Sequence, residues 1–385
     1  MKPTKSVQEY LEIVQRIKIK NNLFFRGHAD KSYILKPGIY REIKEKGNKT
    51  LINYEDQIYR EVISKSPHEF LGKTTLESLA LMQHYESPTR VLDLTENALV
   101  ALFFAVNKGN EDGEVIIFDI PNEFVCHYNS DKVTVLSNIS KCRKDFKYQE
   151  DFIPILKQKI SEVKTRGVGT PSFNYSLFIN VNSFFDKNFE KLRKVYKGKD
   201  EFELKNYDIN LQLFKREFEL KYGKLSDEDY PKFEIEFKNA LLKILNLAIN
   251  ESVIDCNQNF FGKLLHNIRE DKSYFDGIIE PQHVSQVLAV RPKLDNPRIT
   301  RQQGAFLIFG VKALKDIASN KIKPMAKLNK KWIVMGLGKK RIIIDKTCKK
   351  RIMEELEQLG INQSVLFPEV DKVADFVSKK YQNKL

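Results

Sequence analysis

Cysteine is scarce in this chain. Cys126, Cys142, Cys256 and Cys348 lie far apart with no CxxC spacing, which argues against a disulfide framework and against a structural zinc site. The six histidines show no HExxH pattern or other paired spacing, so no metal is expected. No apolar run approaches the length of a membrane span, and residues 1–22 are basic and helix-periodic with no signal-peptide core. A cytoplasmic protein with no membrane partner is therefore expected. The Gly/Pro-punctuated loop at 166–172 (RGVGTPS) fits no phosphate-loop motif. Nor does the sequence hold the paired-carboxylate spacing that a metal-dependent nuclease needs.

What is present is apolar bulk. Of 385 residues, 42% are hydrophobic, including 26 Phe and 15 Tyr, enough for a sizeable core and, from length alone, two domains. The net charge of +14 is unevenly placed. Residues 312–351 carry fourteen Lys or Arg against Asp316 and Asp345 alone. Clustered cations gain affinity for polyanions by releasing counterions from phosphates, so this stretch predicts a nucleic-acid-binding face. A solvated, solubilising face is the plainer reading.

Local patterns place the elements. Val7, Tyr10, Leu11, Val14 and Ile17 recur at helical spacing over 4–20, and Leu23-Phe24-Phe25 reads as a short buried strand ending on Arg26-Gly27. Helices are expected over 51–66 and 74–83, a strand over 89–94, and a helix over 98–106 that is apolar on every face and so must be buried. Thr95 is placed either to cap that helix or to touch a ligand. Residues 114–118 and 305–311 read as core strands, and Gln302-Gln303-Gly304 before the second would put amides at a sheet edge. Residues 332–335 and 341–345 suggest a hairpin, followed by a helix capped by Thr347 and stopped at Gly360. Between 127 and 275 the texture becomes Lys-, Glu-, Phe- and Leu-rich in helical periods.

The densest mixture of site-capable and core residues runs from Leu79 to Ala105. Gln83, His84, Tyr85, Thr89, Arg90, Asp93 and Thr95 crowd into thirteen positions among Leu81, Val91, Leu92 and Leu94. An Arg at a strand end before Gly, as at Arg26, can aim its guanidinium into a cleft, although a surface ion pair is the commoner fate.

The ordered set Phe25-Arg26-Gly27, Gln83-His84-Tyr85, Pro88-Thr89-Arg90, Asp93-x-Thr95 and Ala101-x-Phe103-x-Ala105 resembles the FRG-domain family, named for its Phe-Arg-Gly. Arg298-Ile299, Gln302-Gln303-Gly304 and Leu366-Phe367-Pro368 look like that family's closing motifs. The resemblance covers residues 20–126 and 276–370. It implies an α+β fold with an ADP-ribosyltransferase-like split β-sheet core and flanking helices. Residues 1–126 and 276–385 would form that core, and 127–275 a large, mostly helical insertion. In such folds an Arg or His on the first core strand holds NAD, a Ser/Thr-containing strand leads into a buried helix, and an acidic or amide residue begins a late strand. Arg26, then Asp93/Thr95 with the 98–106 helix, then Gln302/Gln303 match those positions. The third departs from the usual Glu, which engages the ribose hydroxyl. A Gln can bond ribose but carries no charge, so the work would fall to another acid, or the site would bind a nucleotide without turning it over.

The resemblance therefore implies NAD as substrate, held by Arg26, Gly27, His84, Tyr85, Arg90 and Thr95, with Asp93, Glu280 and Gln303 as catalytic candidates. Some relatives are similar to toxins of phage-defence toxin–antitoxin systems, which implies ADP-ribosylation of nucleic acid, RNA before DNA, to block phage propagation or host growth. Lys331, Lys339, Lys340, Arg341, Lys349 and Lys350 would hold the nucleic acid, and 127–275 would offer a surface to a protein antitoxin or chaperone. The alternative is a non-catalytic nucleotide- or nucleic-acid-binding module.

Overall fold

A computed structural model of the chain describes residues 3–107, 109–148, 228–314, 320–335 and 341–382, with isolated positions between 158 and 226. The loop at 166–172 lies outside them, as do Lys339 and Lys340. The fold is mixed α+β around one twisted sheet. Its strands are β1 (Asn22–His28), β2 (Val91–Thr95), β3 (Gly113–Ile120), β4 (Val125–His127), β5 (Val287–Arg291), β6 (Gly304–Phe309), β7 (Ile333–Met335) and β8 (Ile342–Ile344). They run in the order β4-β5-β6-β2-β1-β3-β7, with β8 also on β3. All pair antiparallel except β4 with β5.

Period-two alternation sorts the strand residues to two faces. On one, Phe24, Leu92, Leu94, Ile116, Phe118, Leu307 and Trp332 form a core. The other face is covered in two halves. The Ala98–Val106 helix and the Lys349–Gln358 helix lie over Phe25, Val115 and Ile117. The Asp131–Asn138, Tyr230–Cys256 and Gly262–Asp271 helices lie over Val91, Leu288, Phe306 and Ile308. The described parts of the 127–275 block thus share a core with β5 and β6, because their apolar faces need a partner surface and the sheet supplies one.

The two halves meet over the weakest joint of the sheet. β1 and β3 pair along seven residues and β2 and β6 along five, but β1 and β2 pair only at Phe25↔Thr95. Gly27 lets the covering helix approach there. A Cβ at this position would stand 2.0 Å from the Ala101 carbonyl oxygen and 2.7 Å from the Ala105 nitrogen, and backbone cannot move aside cheaply. Gly27→Ala is expected to cost about 1–3 kcal/mol, read as a lower denaturant midpoint; an unchanged midpoint would refute the close approach.

Several expectations shift in detail. The 333–335 and 342–344 strands do not pair as a hairpin; both add to β3, at Ile117/Phe118 and at Gly113–Val115. The Gln-Gln-Gly turn opens a central strand, not an edge one, since β6 lies between β5 and β2. Asn97 caps the Ala98–Val106 helix, accepting from Leu99 and Val100 N–H, so Thr95 does not. Asp345 caps the turn leading into the Lys349–Gln358 helix in place of Thr347, while Gly360 does end that region, at φ +79°.

Candidate functional site

A cavity of about 180 Å³ lies at the β1–β2 joint, between the two helical halves. Its apolar lining comes from both: Phe25 and Phe104 from one, Ala80, Ile299 and Phe306 from the other. Its polar lining is Arg26, Gln83, His84, Asp93, Thr95, Asn296, Arg298 and Gln302.

Each polar group is held. Asp93 is the one exposed residue of β2, and its Oδ1 accepts from Gln83 Nε2 at 2.7 Å. Gln83 Oε1 accepts in turn from Thr89 Oγ1 at 2.6 Å, which fixes the amide orientation. Thr95 Oγ1 donates to Gln302 O at 2.7 Å and accepts from Asn97 N–H at 3.0 Å. Arg26 bridges the joint where strand pairing lapses. Its Nη1 donates to Asp93 O at 2.5 Å and its Nε to His28 Nε2 at 3.0 Å. Among the described residues no further acceptor meets the guanidinium's remaining donors. Burial lowers its pKa to about 10, against the opposing pull of Asp93, so it remains a cation at neutral pH.

His28 explains how Arg26 is held. Burial first, then Arg26 itself, push the imidazole down to about pKa 3, so it is neutral and its Nε2 is free to accept. Its Nδ1 then carries the proton and has no partner among the described residues.

A second polar group borders the cavity. His84 Nε2 stands 2.8 Å from Glu369 Oε1, and Arg298 Nη1 stands 3.7 Å from the same oxygen. The Arg298 guanidinium lies over the Phe367 ring at 4.5 Å, and Phe367 packs against Phe103 and Phe104. Gln302 Nε2 donates to Leu366 O at 2.9 Å. The Leu366-Phe367-Pro368 segment is thereby clamped over the cavity by the Pro297–Arg301 helix and the turn after it. Among the described residues no group of three or more His, Cys, Asp or Glu could hold a metal ion, and no helix is long and apolar enough to cross a membrane.

Most of these residues fall in one early stretch of chain. Residues 21–114 match the FRG domain family. No curated protein and no solved structure matches the chain. The FRG segment contributes β1, β2, the Thr75–His84 helix and the Ala98–Val106 helix, hence Arg26, Gln83, His84, Asp93 and Thr95. The other wall, Asn296 to Phe306, comes from outside it.

The structure separates the sequence-derived candidates. Arg26, Gly27, His84, Asp93 and Thr95 line the cavity. Tyr85 stands outside it, 64% exposed, its ring tilted against His84 at 4.8 Å. Arg90 does not reach it. It is wholly buried, gripping Glu55 with two nitrogens and Phe309 O with a third at 2.9 Å. Gln303 is exposed in a left-handed turn at φ +44°, with Gln302 at the cavity instead. Glu280 leads the Pro281–Val284 helix and is not in the lining; burial alone raises its pKa. Arg298 lines the cavity and Glu369 borders it without having been singled out. Arg298 sat inside a quoted motif, and the only signal for Glu369 was its place directly after Pro368.

The basic stretch also resolves into different jobs. Arg341 is paired bidentately with buried Glu114 at 2.8 and 2.7 Å. Lys349 is buried and donates to Ala29 O at 2.6 Å. Lys323 is buried against Glu55 at 3.0 Å. Lys346 and Arg351 lie by Glu111 and Glu355. Lys331 and Lys350 are exposed. Four cations of the stretch thus meet acids outside it: Lys323 with Glu55, Arg341 with Glu114, Lys346 with Glu111 and Arg351 with Glu355.

Proposed function

We propose that the cavity binds NAD and that the protein is an ADP-ribosyltransferase acting on nucleic acid, RNA before DNA, as a toxin of a phage-defence system. The observation that carries the reading is Arg26: a cation held by His28 and the Asp93 carbonyl at the point where the sheet opens, with further donors unmet among the described residues. A planar guanidinium so fixed suits a pyrophosphate, and Arg298 adds a second cation on the opposite wall. The cavity itself, about 180 Å³, is smaller than the roughly 300–1,000 Å³ that usually encloses a whole ligand. It suits one end of a dinucleotide, with the rest lying toward solvent. Asp93 is the carboxylate in the lining that could stabilise positive charge on the ribose.

Incubation with labelled NAD and RNA, DNA or protein acceptors tests the reading. Label should pass to RNA, and Arg26→Ala should abolish the transfer. A wild type that transfers nothing beside an active control refutes it.

A second reading, nucleotide binding without chemistry, is favoured by one observation. The amide at the usual Glu position, Gln302, is tied to Leu366 O, and Asp93 is tied to Gln83. Nicotinamide release from NAD separates the two, since only the transferase produces it. On either reading, phosphate contacts predict salt-dependent RNA binding. Replacing exposed Lys331 and Lys350 by Ala should make the log K against log salt slope shallower by about 1–2. Filter binding across a salt series measures this, and a flat wild-type response would rule out phosphate contacts.

A further inference from the structure

His84 stands in a wall between two spaces. Inside is the cavity holding Arg26 and Asp93; outside is an open groove of about 560 Å³ that takes in His68, Lys73, Tyr85 and Glu369. His84, Asn296 and Arg298 line both. A transferase needs that layout: one substrate fixed inside, and a second arriving from outside past a group able to take its proton.

We propose that His84 accepts the proton of an acceptor hydroxyl approaching through the groove, and that Glu369 is the positioning residue that sets the imidazole for this task. The proposal rests on the transferase reading above. Glu369 Oε1 stands 2.8 Å from Nε2, and among the described residues neither Glu369 oxygen has a hydrogen-bond partner, so the carboxylate acts on the ring through its charge, favouring the protonated form. Both Glu369 oxygens are shielded from solvent. The segment that carries Glu369 is secured at three points: Arg298 on Phe367, Gln302 on Leu366 O, and Arg301 on Val365 O at 3.4 Å. The carboxylate is thus fixed by the same helix and turn that line the cavity, so Glu369 and the NAD site are placed together. Burial first, then Arg298, disfavours the charged form of the ring, and Glu369 favours it; the net shift is downward. Arg26 and Asp93 face the same cavity from β1 and β2. An imidazole unprotonated at neutral pH is the state a base requires.

The step balances. The acceptor oxygen attacks C1′ of the nicotinamide ribose and the new O–C1′ bond forms. The C1′–N bond breaks with its electron pair going to the nicotinamide nitrogen, which cancels its positive charge. The acceptor proton passes to the His84 imidazole, and the resulting imidazolium is stabilised by the Glu369 carboxylate.

The test uses the full chain, NAD and a single-stranded RNA oligonucleotide, with His84→Gln, Glu369→Gln and Glu369→Asp. Transfer kinetics are read against pH, and the imidazole is followed separately by NMR titration. His84→Gln should lower kcat by about 10²–10⁴-fold while moving the KM for NAD far less. Glu369→Gln should lower the His84 pKa further, because the group that raises it is gone. The acidic limb of the kcat profile should then move to lower pH and kcat should fall, with Glu369→Asp recovering part of the loss. If Glu369→Gln leaves the His84 titration and the profile at wild type while wild type transfers label, this inference alone is overturned. If wild type transfers no label, the transferase reading falls and takes this one with it.

Discussion

Replacing Arg90 by Met should lower stability by about 3–5 kcal/mol, measured by chemical denaturation. Arg90 was a ligand candidate from sequence, yet it is wholly buried and one of a cluster of three with Glu55 and Lys323, which are 3% and 0% exposed. Arg90 Nε and Nη2 bond the two Glu55 oxygens, and Lys323 Nζ reaches Oε2 at 3.0 Å and Ile139 O at 3.2 Å. A carboxylate in such a place is tolerable only while its cations are present. Met fills similar volume but leaves Glu55 with Lys323 alone, and strips a donor from Phe309 O. Glu55→Gln should be comparably damaging, because it leaves two cations buried without an anion. Burial works to raise the Glu55 pKa, but Arg90 and Lys323 outweigh it and hold the group below its ordinary 4.5. The folded value being the lower one, the cluster's contribution is complete above about pH 4.5 and is lost as pH falls through the depressed value. Glu55→Gln should therefore flatten the acid side of the stability profile; a variant with the wild-type slope would show that Glu55 is not the group responsible.

On the proposal that the cavity binds NAD, Arg26→Lys should weaken that binding by roughly 30–1,000-fold, or about 2–4 kcal/mol, while the melting temperature changes little. A lysine keeps the charge, so the test isolates the fork. One ammonium cannot donate to His28 Nε2 and Asp93 O in the present geometry and still offer planar paired donors to a pyrophosphate. Calorimetric titration of NAD into both proteins reads the difference. Equal affinities would mean that Arg26 acts as a bare charge or does not touch the nucleotide. Because β1 is central and its pairing with β3 runs the whole strand, backbone register should survive the exchange.

The structure also bears on how the long basic stretch is to be understood. Cations counted along the chain suggested a face; cations placed in space include Lys323 and Lys349 in the interior and Arg341 against Glu114. Lys323 is buried at φ +33°, and its ammonium is met by Glu55, 268 residues away in sequence, and by the Ile139 carbonyl.

What the sequence determined by itself was the inventory of elements around the site. The apolar runs of β1, β2, β3 and β6, and the all-apolar 98–106 helix, are local signals, since each reflects burial of a contiguous segment. The Phe-Arg-Gly and Gln-His-Tyr motifs likewise pointed to the stretch that carries Arg26, His84 and Asp93. Tertiary structure decided which polar residues share a space. Arg26 and Arg90 look alike as strand-end arginines, but one meets a cavity and the other a buried glutamate. Gln302 and Gln303 are neighbours, but the left-handed turn sends only the first to the cavity. Glu280 was a candidate acid and Glu369 was not; the clamp on the closing segment brings Glu369 to His84. Such choices depend on contacts between residues tens to hundreds of positions apart, and no local period encodes them.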